Sequence, residues 1–409
     1  MKLKKNTLHK QVWSRFIRMP YGHFLDYADK TGFAPIPTSE ECRCSYPNVL
    51  GWMTPIENGA FFGGLYLYAL SEEYEVRPSD KLADEIKILV NGLLNLCDIG
   101  HYDGFIARGV AEDGISHYPF SSEDQAGPWL LGLWKLYNSP SCPQSLKDDI
   151  YPRMERTLRG IYTANYSIPT EWEGVTRGSY IHSDWRGSAK SLFCAYILPQ
   201  FVSGNNELLN EYSRLRDEKP DVSIYTRAEI VSHGFAPDMV RTPSLTQFWI
   251  DICAHLCVYE LAKVDNEYSK MYNLGLQSNA ITASYFLDDY LNYENDPSKP
   301  FNMDWRILEE KNWSNADEAV AAGIEHCIEW QQKNKRRVQE HAVLGNMLFA
   351  AWISLTGKND IAAQKAVSSL SKCIDRIKWE KVYHCYSFVA EAAIIDAEYK
   401  NTIKRALKE

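Results

Sequence analysis

Residues 101–134 read HYDGFIARGVAEDGISHYPFSSEDQAGPWLLGLW, and the change of character inside this stretch decides the fold. Up to Phe120 it is a long loop broken by glycines. Ser121 or Ser122 then offers an N-cap, Glu123 and Asp124 fall in a first helical turn, and Gln125 to Trp134 is apolar nearly all round. A helix apolar on every side must be buried on every side. Loops of this length are functional or disordered, and this one is too aromatic for disorder.

The neighbours on either side are different. Upstream, Leu82, Ile86, Leu89, Val90, Leu93 and Cys97 recur at helical spacing behind a cap at Ser79 or Asp80. Downstream, Leu146, Ile150, Met154, Leu158 and Ile161 do the same, and Pro152 predicts a kink or a late start. Buried and amphipathic segments alternate along the chain. Buried-type helices are expected near 54–70, 123–137, 188–200, 244–262, 341–356 and 383–397. Amphipathic ones are expected near 8–19, 80–97, 147–165, 205–217, 265–290 and 360–377, with an extra helix near 315–331. Strand signals are scarce. The expected fold is therefore all-α, an (α/α)6 toroid forming one domain over residues 1–409, with helix 8–19 pairing with the last inner helix. Gly59, Gly63 and Gly64 predict close helix packing, and Gly357 a helix end.

This arrangement has a functional consequence. Connections leaving inner helices are short, while those entering them (20–53, 98–122, 166–187, 218–243 and 291–340) are long. In a ring of hairpins all the long connections fall on one face and line one funnel.

Composition narrows the chemistry. A net charge of −9 without a basic stripe excludes a phosphate-backbone binder, so no nucleic-acid partner is expected. Aromatics reach 13%, enough to leave some for stacking on sugar rings. The ten cysteines are scattered through apolar patterns, which reads as buried thiols in a reducing compartment rather than a disulfide framework. Cys42 and Cys44, and Cys253 and Cys257, lack a second pair at zinc spacing, so no metal and no cofactor is expected. The basic N-terminal stretch has no apolar run after it, and no segment is apolar enough to span a bilayer; a cytoplasmic protein without a membrane partner is expected. P-loop, dinucleotide, nucleophile-elbow and zincin motifs are all missing.

The long loops hold carboxylates for proton transfer, arginines for anions, and aromatics. Asp124 opens an inner helix at the expected mouth of the funnel, where burial beside Trp129 would suit a general acid. Glu57 reads equally as a second carboxylate and as the N3 member of a capping box with Thr54. Arg108 either holds a substrate carboxylate or pins Asp103 or Asp113. Asp113, His117 and Gln125 complete that part of the expected sugar site. Loop 166–187 adds His182, Asp184, Trp185 and Arg186, with an Asp184–Arg186 loop ion pair as the plain alternative. Loop 218–243 adds His233 beside Asp238, and Asp304-Trp305-Arg306 repeats the Asp-Trp-Arg triple. The run Lys333-Asn334-Lys335-Arg336-Arg337 reads as a solvated helix end.

The helix-pair rhythm resembles the six-hairpin glycosidases. So does the aspartate of Ser121-Ser122-Glu123-Asp124-Gln125 opening a helix that continues through Trp129, Gly132 and Trp134. The likeness extends to bacterial unsaturated glucuronyl and rhamnogalacturonyl hydrolases and related exo-glucuronidases. The resemblance implies an exo-acting glycoside hydrolase on uronic-acid-containing oligosaccharides, with Asp124 protonating a sugar double bond and activating water. For a saturated uronide two carboxylates are needed, and Glu57 is the second. The same fold hosts lyases, for which His117 or Tyr118 would be the base and Arg108 the carboxylate holder, as well as epimerases and non-catalytic glycan binders.

Overall fold

A computed structural model describes residues 2–204, 206–241, 247–294 and 300–406. Helices make up 63% of it, and the strands amount to two short antiparallel pairs, so the chain is all-α. After α1 (Lys2–Gln11) come β1 (Ile17–Arg18), β2 (His23–Phe24) and the short α2 (Ser39–Arg43). Hairpins follow: α3 (Gly59–Val76) with α4 (Asp80–Asp98), then α5 (Glu123–Asn138) with α6 (Gln144–Thr163). The second pair of strands, β3 (Ser167–Pro169) and β4 (Thr176–Ser179), precedes α7 (Trp185–Phe201) and α8 (Leu208–Asp217). Next are the short α9 (Arg227–His233) and α10 (Ala236–Arg241), then α11 (Phe248–Val264) with α12 (Ser269–Ser284). The chain ends with α13 (Ala316–Lys333), α14 (Lys335–Gln339), α15 (Asn346–Thr356), α16 (Asp360–Arg376) and α17 (Ser387–Ala406).

The expected division into buried and amphipathic helices is present. Along α4, Leu82, Ile86, Leu89, Val90, Leu93 and Cys97 are buried, and the Ser79 hydroxyl accepts the Leu82 amide at 3.3 Å as a cap. By contrast α3 buries every residue from Gly59 to Glu72. It packs against α5 and α17; α11 packs against α7 and α15; α15 packs against α17. The amphipathic α4, α6, α12, α16 and α1 lie on α3, α5, α11, α15 and α17 respectively. The interface of α3 with α5 is a backbone contact. A Cβ on Gly132 would sit 2.2 Å from the Gly64 carbonyl oxygen, and one on Gly64 would sit 2.2 Å from that of Pro128.

Several boundaries differ from the sequence reading. The first buried helix begins at Gly59 rather than near 54, because residues 54–57 form a turn in which the Thr54 hydroxyl donates to the Gly51 carbonyl at 2.7 Å. Capping boxes form at Thr38–Glu41 and Thr226–Glu229, not at Thr54–Glu57. The expected 8–19 helix starts earlier, and α6 runs unbroken through Pro152. Residues 244–246 of the expected 244–262 helix lie outside the described residues.

The N-terminal helix is pinned by a charge cluster. His9 meets Glu391 at 2.9 Å and Glu85 at 3.0 Å, with Lys81 close by. Burial alone would depress this imidazole, but the two carboxylates outweigh it and raise it to about 9. A raised folded-state value adds stability that is complete below the ordinary value of 6.5 and is lost as pH rises through about 9. His9→Gln is expected to remove that slope and to cost on the order of 1 kcal/mol near pH 6. Urea unfolding of both proteins between pH 6 and 9.5 checks it.

Candidate active site

A cavity of about 620 Å³ opens where the N-terminal ends of the buried helices meet. Asn58 and Phe62 reach it from the start of α3, Glu123 and Asp124 from α5, Arg186 and Lys190 from α7, and Trp249 and Ile250 from α11. His341 comes from the turn leading into α15, and His384 and Tyr386 from the residues before α17. Helix N-termini carry partial positive charge and free amides, so their convergence favours anionic groups.

One wall is organised by Arg108, which is 3% exposed. Its guanidinium donates to the Phe120 carbonyl at 3.3 Å, the Glu57 carbonyl at 3.2 Å and the Ser122 hydroxyl at 2.6 Å, and lies 3.9 Å from the Asp124 carboxylate. Ser122 in turn donates to Asp124. Asp124 keeps 19% of its side chain exposed, in the cavity. Glu57 accepts the Met53 amide at 2.7 Å and pairs with Arg337 at 3.3 Å. Met53 holds that amide in the left-handed region, at φ 77°. Arg108→Met is expected to cost about 3 kcal/mol in urea unfolding, because it leaves a buried network without its cation. Arg108→Lys is expected to restore only part, since an ammonium lacks the planar fork.

A second wall is buried deeper. Asp26 accepts the Asn58 amide at 2.7 Å and the Asn58 side-chain amide at 2.6 Å, and Gln125 holds Asn58 in place at 2.8 Å. Burial, then the Glu57 carboxylate, pushes Asp26 well above the usual carboxylate range. His384 and His341 lie 6.1 Å apart, and Tyr386 hydrogen-bonds the latter. Burial, then Arg337, pushes His341 down to about 3 and His384 well below its ordinary value, so both imidazoles are neutral. His384 Nδ1 lies 3.2 Å from the Asp26 carbonyl and must carry the proton to donate there, which leaves Nε2 as a bare lone pair. Nε2, Arg337 Nε and Trp249 Nε1 are buried without hydrogen-bond partners among the described residues.

The third wall comes from β4 and α7. Arg177, Ser179, His182, Asp184, Arg186 and Lys190 line it. Asp184 is the N-cap of α7, accepting the Gly187 amide at 2.6 Å, and Arg186 pairs with buried Asp251 rather than with Asp184.

Of the candidate site residues read from the sequence, Asp124, Glu57, Arg108, His182, Asp184 and Arg186 thus line one cavity, and the other candidates do not. Trp129 is fully buried in the core, donating to the Leu93 carbonyl at 2.8 Å. Trp185 is also core, its indole donating to the Val231 carbonyl. The aromatic side chains lining the cavity are instead Trp52, Phe62, Trp249 and Tyr386, with the imidazoles of His182, His341 and His384. Gln125 is buried and acts through Asn58. Asp113 caps its own loop, accepting from Ile115, Ser116 and Ser39, rather than meeting a ligand or Arg108. His117 is tied to Glu171, which also holds His101, outside the cavity. Tyr118 is buried and donates to the Tyr46 carbonyl. His233 lies in a separate cleft against Tyr225. Trp305 is buried and Arg306 pairs with Glu41.

Asp26, Arg177, Lys190, Arg337, His341 and His384 were missed. Arg337 belongs to the run read as a solvated helix end, yet Arg336 there is buried against Glu340 and Arg337 reaches Glu57. No group of three or more His, Cys, Asp or Glu among the described residues is placed to hold a metal ion. All ten cysteines are unbridged, and no described helix is long and apolar enough to cross a membrane. No protein-family model, curated protein or solved structure matches this chain.

Proposed function

We propose that this chain is an exo-acting glycoside hydrolase for uronic-acid-containing oligosaccharides, built as an (α/α)6 toroid. The order in which α3, α5, α7, α11, α15 and α17 touch one another supports the toroid, as does the placing of α4, α6, α12, α16 and α1 outside them. The observation that carries the activity is that the Asp124 and Glu57 carboxylates line one cavity, the first 3.9 Å from Arg108 and the second paired with Arg337, while Arg108 also holds the Glu57 backbone carbonyl. Asp124, the more open of the two, delivers a proton to the leaving oxygen or to the sugar double bond, and water attacks. Glu57, fixed by the Met53 amide and Arg337, is the second carboxylate, and stabilises positive charge on the ring or activates that water. Trp52 and Trp249 supply faces for the sugar, and a cavity of this size suits one or two sugar units.

Incubation with a panel of saturated and unsaturated uronic-acid oligosaccharides, read by mass spectrometry, tests the proposal. A terminal uronate released with gain of water is expected; cleavage without gain of water, or none on any member, would overturn it.

One observation favours a second reading. The bare Nε2 of neutral His384, beside Arg337, is an arrangement for taking a proton next to a carboxylate or carbonyl, as a lyase or epimerase does. In that reading the base is His384, not His117 or Tyr118, both of which are engaged elsewhere. Deuterium entering the sugar from heavy water, abolished in His384→Gln, distinguishes it.

A further inference from the structure

The sequence offers Arg108 for the substrate carboxylate, and Arg186 is the other arginine of the expected sugar site. Both are already committed, Arg108 to Ser122, Asp124 and two carbonyls, and Arg186 to Asp251. Two other cations on the cavity wall are not. Lys190 is 5% exposed and has no carboxylate or hydrogen-bond partner among the described residues; its ammonium lies 5.6 Å over the Tyr180 ring. Arg177 likewise has no ion pair there, and its Nε is buried without a partner. A buried guanidinium nitrogen without a partner is costly unless a ligand completes it, and Lys190 lines the same cavity.

Their placement is specific. Arg177 and Ser179 alternate with Gly178 along β4 and both line the cavity, so they share a face. Gly178, at φ 77°, lies against the Glu123 carboxylate; a Cβ there would come within 1.7 Å of it. The Lys190 stem passes the start of α5 at Gly127 and its ammonium covers Tyr180, just beyond β4. The two cations thus line the same cavity, close to β4 and the N-terminal turns of α5. The same part of the cavity also carries Glu123, Asp124, Asp184 and Arg186, the last paired with Asp251, so Arg177 and Lys190 are its cations without a carboxylate partner among the described residues.

We infer that Arg177 and Lys190 form an oxyanion subsite that holds the anionic group of the sugar, a carboxylate or a sulfate ester; this rests on the proposed sugar-processing role of the cavity. The planar guanidinium and the point-charge ammonium together suit either group. Arg108 is left to order Asp124 and Glu57.

The test is calorimetric binding at fixed ionic strength, using glucuronate, a sulfated monosaccharide and glucose as probes. An Asp124→Asn background prevents turnover of any oligosaccharide added later. Glucuronate or the sulfated sugar is expected to bind at least about 10-fold more tightly than glucose, and whichever of the two binds better identifies the group. Arg177→Gln and Lys190→Met are each expected to weaken that binding about 10-fold, and Lys190→Arg to recover most of it. Equal affinity for glucose, or unchanged affinity in both variants, would overturn the subsite. Should Lys190→Met fail to fold, Arg177→Gln, at a half-buried position, decides the matter alone. The two ideas fail separately. Uronide cleavage with unchanged KM in Arg177→Gln would remove the subsite and leave the hydrolase. Variant-sensitive anion binding without cleavage of any panel member would remove the hydrolase and support the subsite.

Discussion

Asp124→Asn is expected to lower kcat/KM for glycoside cleavage by about 10²–10⁴-fold, while leaving thermal unfolding within about a degree of the wild type. The carboxylate is the cavity's most open acid on the Arg108 wall, and its fold-supporting contacts are few: Ser122 donates to it and Arg108 lies 3.9 Å away. An amide keeps the acceptor oxygen for Ser122 but cannot give up a proton. Glu57→Gln is the informative companion. It retains an acceptor for the Met53 amide but loses the pairing with Arg337, so it should lower kcat and also some stability. A loss of activity in Glu57→Gln with none in Asp124→Asn would reverse the roles of the two residues.

Gly132→Ala is expected to cost about 3 kcal/mol of stability. The new methyl would sit 2.2 Å from the Gly64 carbonyl oxygen and 3.1 Å from its Cα. Both atoms belong to the backbone of α3, so relief requires α3 and α5 to separate along an interface buried on all sides. Gly127→Ala in the same helix is the control. Its Cβ would meet only side-chain atoms, the nearest being Cys253 Sγ at 3.3 Å, so it should be near neutral, since alanine is the better helix former. Denaturant unfolding of the two variants side by side measures the difference; equal midpoints would mean that the helices are not in backbone contact.

Periodicity carried most of the fold, because burial on one face or on all faces leaves a direct imprint on the apolar pattern. That is why the ranges for α4, α5, α7, α13 and α16 agree with expectation to within a few residues. The start of α3 was misplaced for a non-local reason. Asp26, more than thirty residues upstream, grips the Asn58 amide and side chain, and no local pattern around Thr54 and Glu57 records it. The candidate site was legible only in part. Asp124 and Glu57 stood out as carboxylates at the starts of apolar segments, and Arg108 as the arginine of the long loop between helices. Trp129 and Trp185 misled because an aromatic near a helix start reads the same whether it points into a core or into a cleft. Arg337, His341 and His384 stayed hidden for the opposite reason: each sits at the end of a segment whose own composition looks ordinary, and only the packing of α15 on α17 and of α17 on α3 brings them to the cavity that Glu57 lines. Lys190, a cation inside the apolar run of α7, was a visible signal that was passed over.

The most direct test of the central claim, that Asp124 drives addition of water across a glycosidic or vinyl-ether bond, is the reaction of a uronic-acid oligosaccharide in heavy-oxygen water, followed by mass spectrometry. Wild type is predicted to place one heavy oxygen in the released uronate and Asp124→Asn to place none. Cleavage without label, or equal labelling by both proteins, would contradict the account.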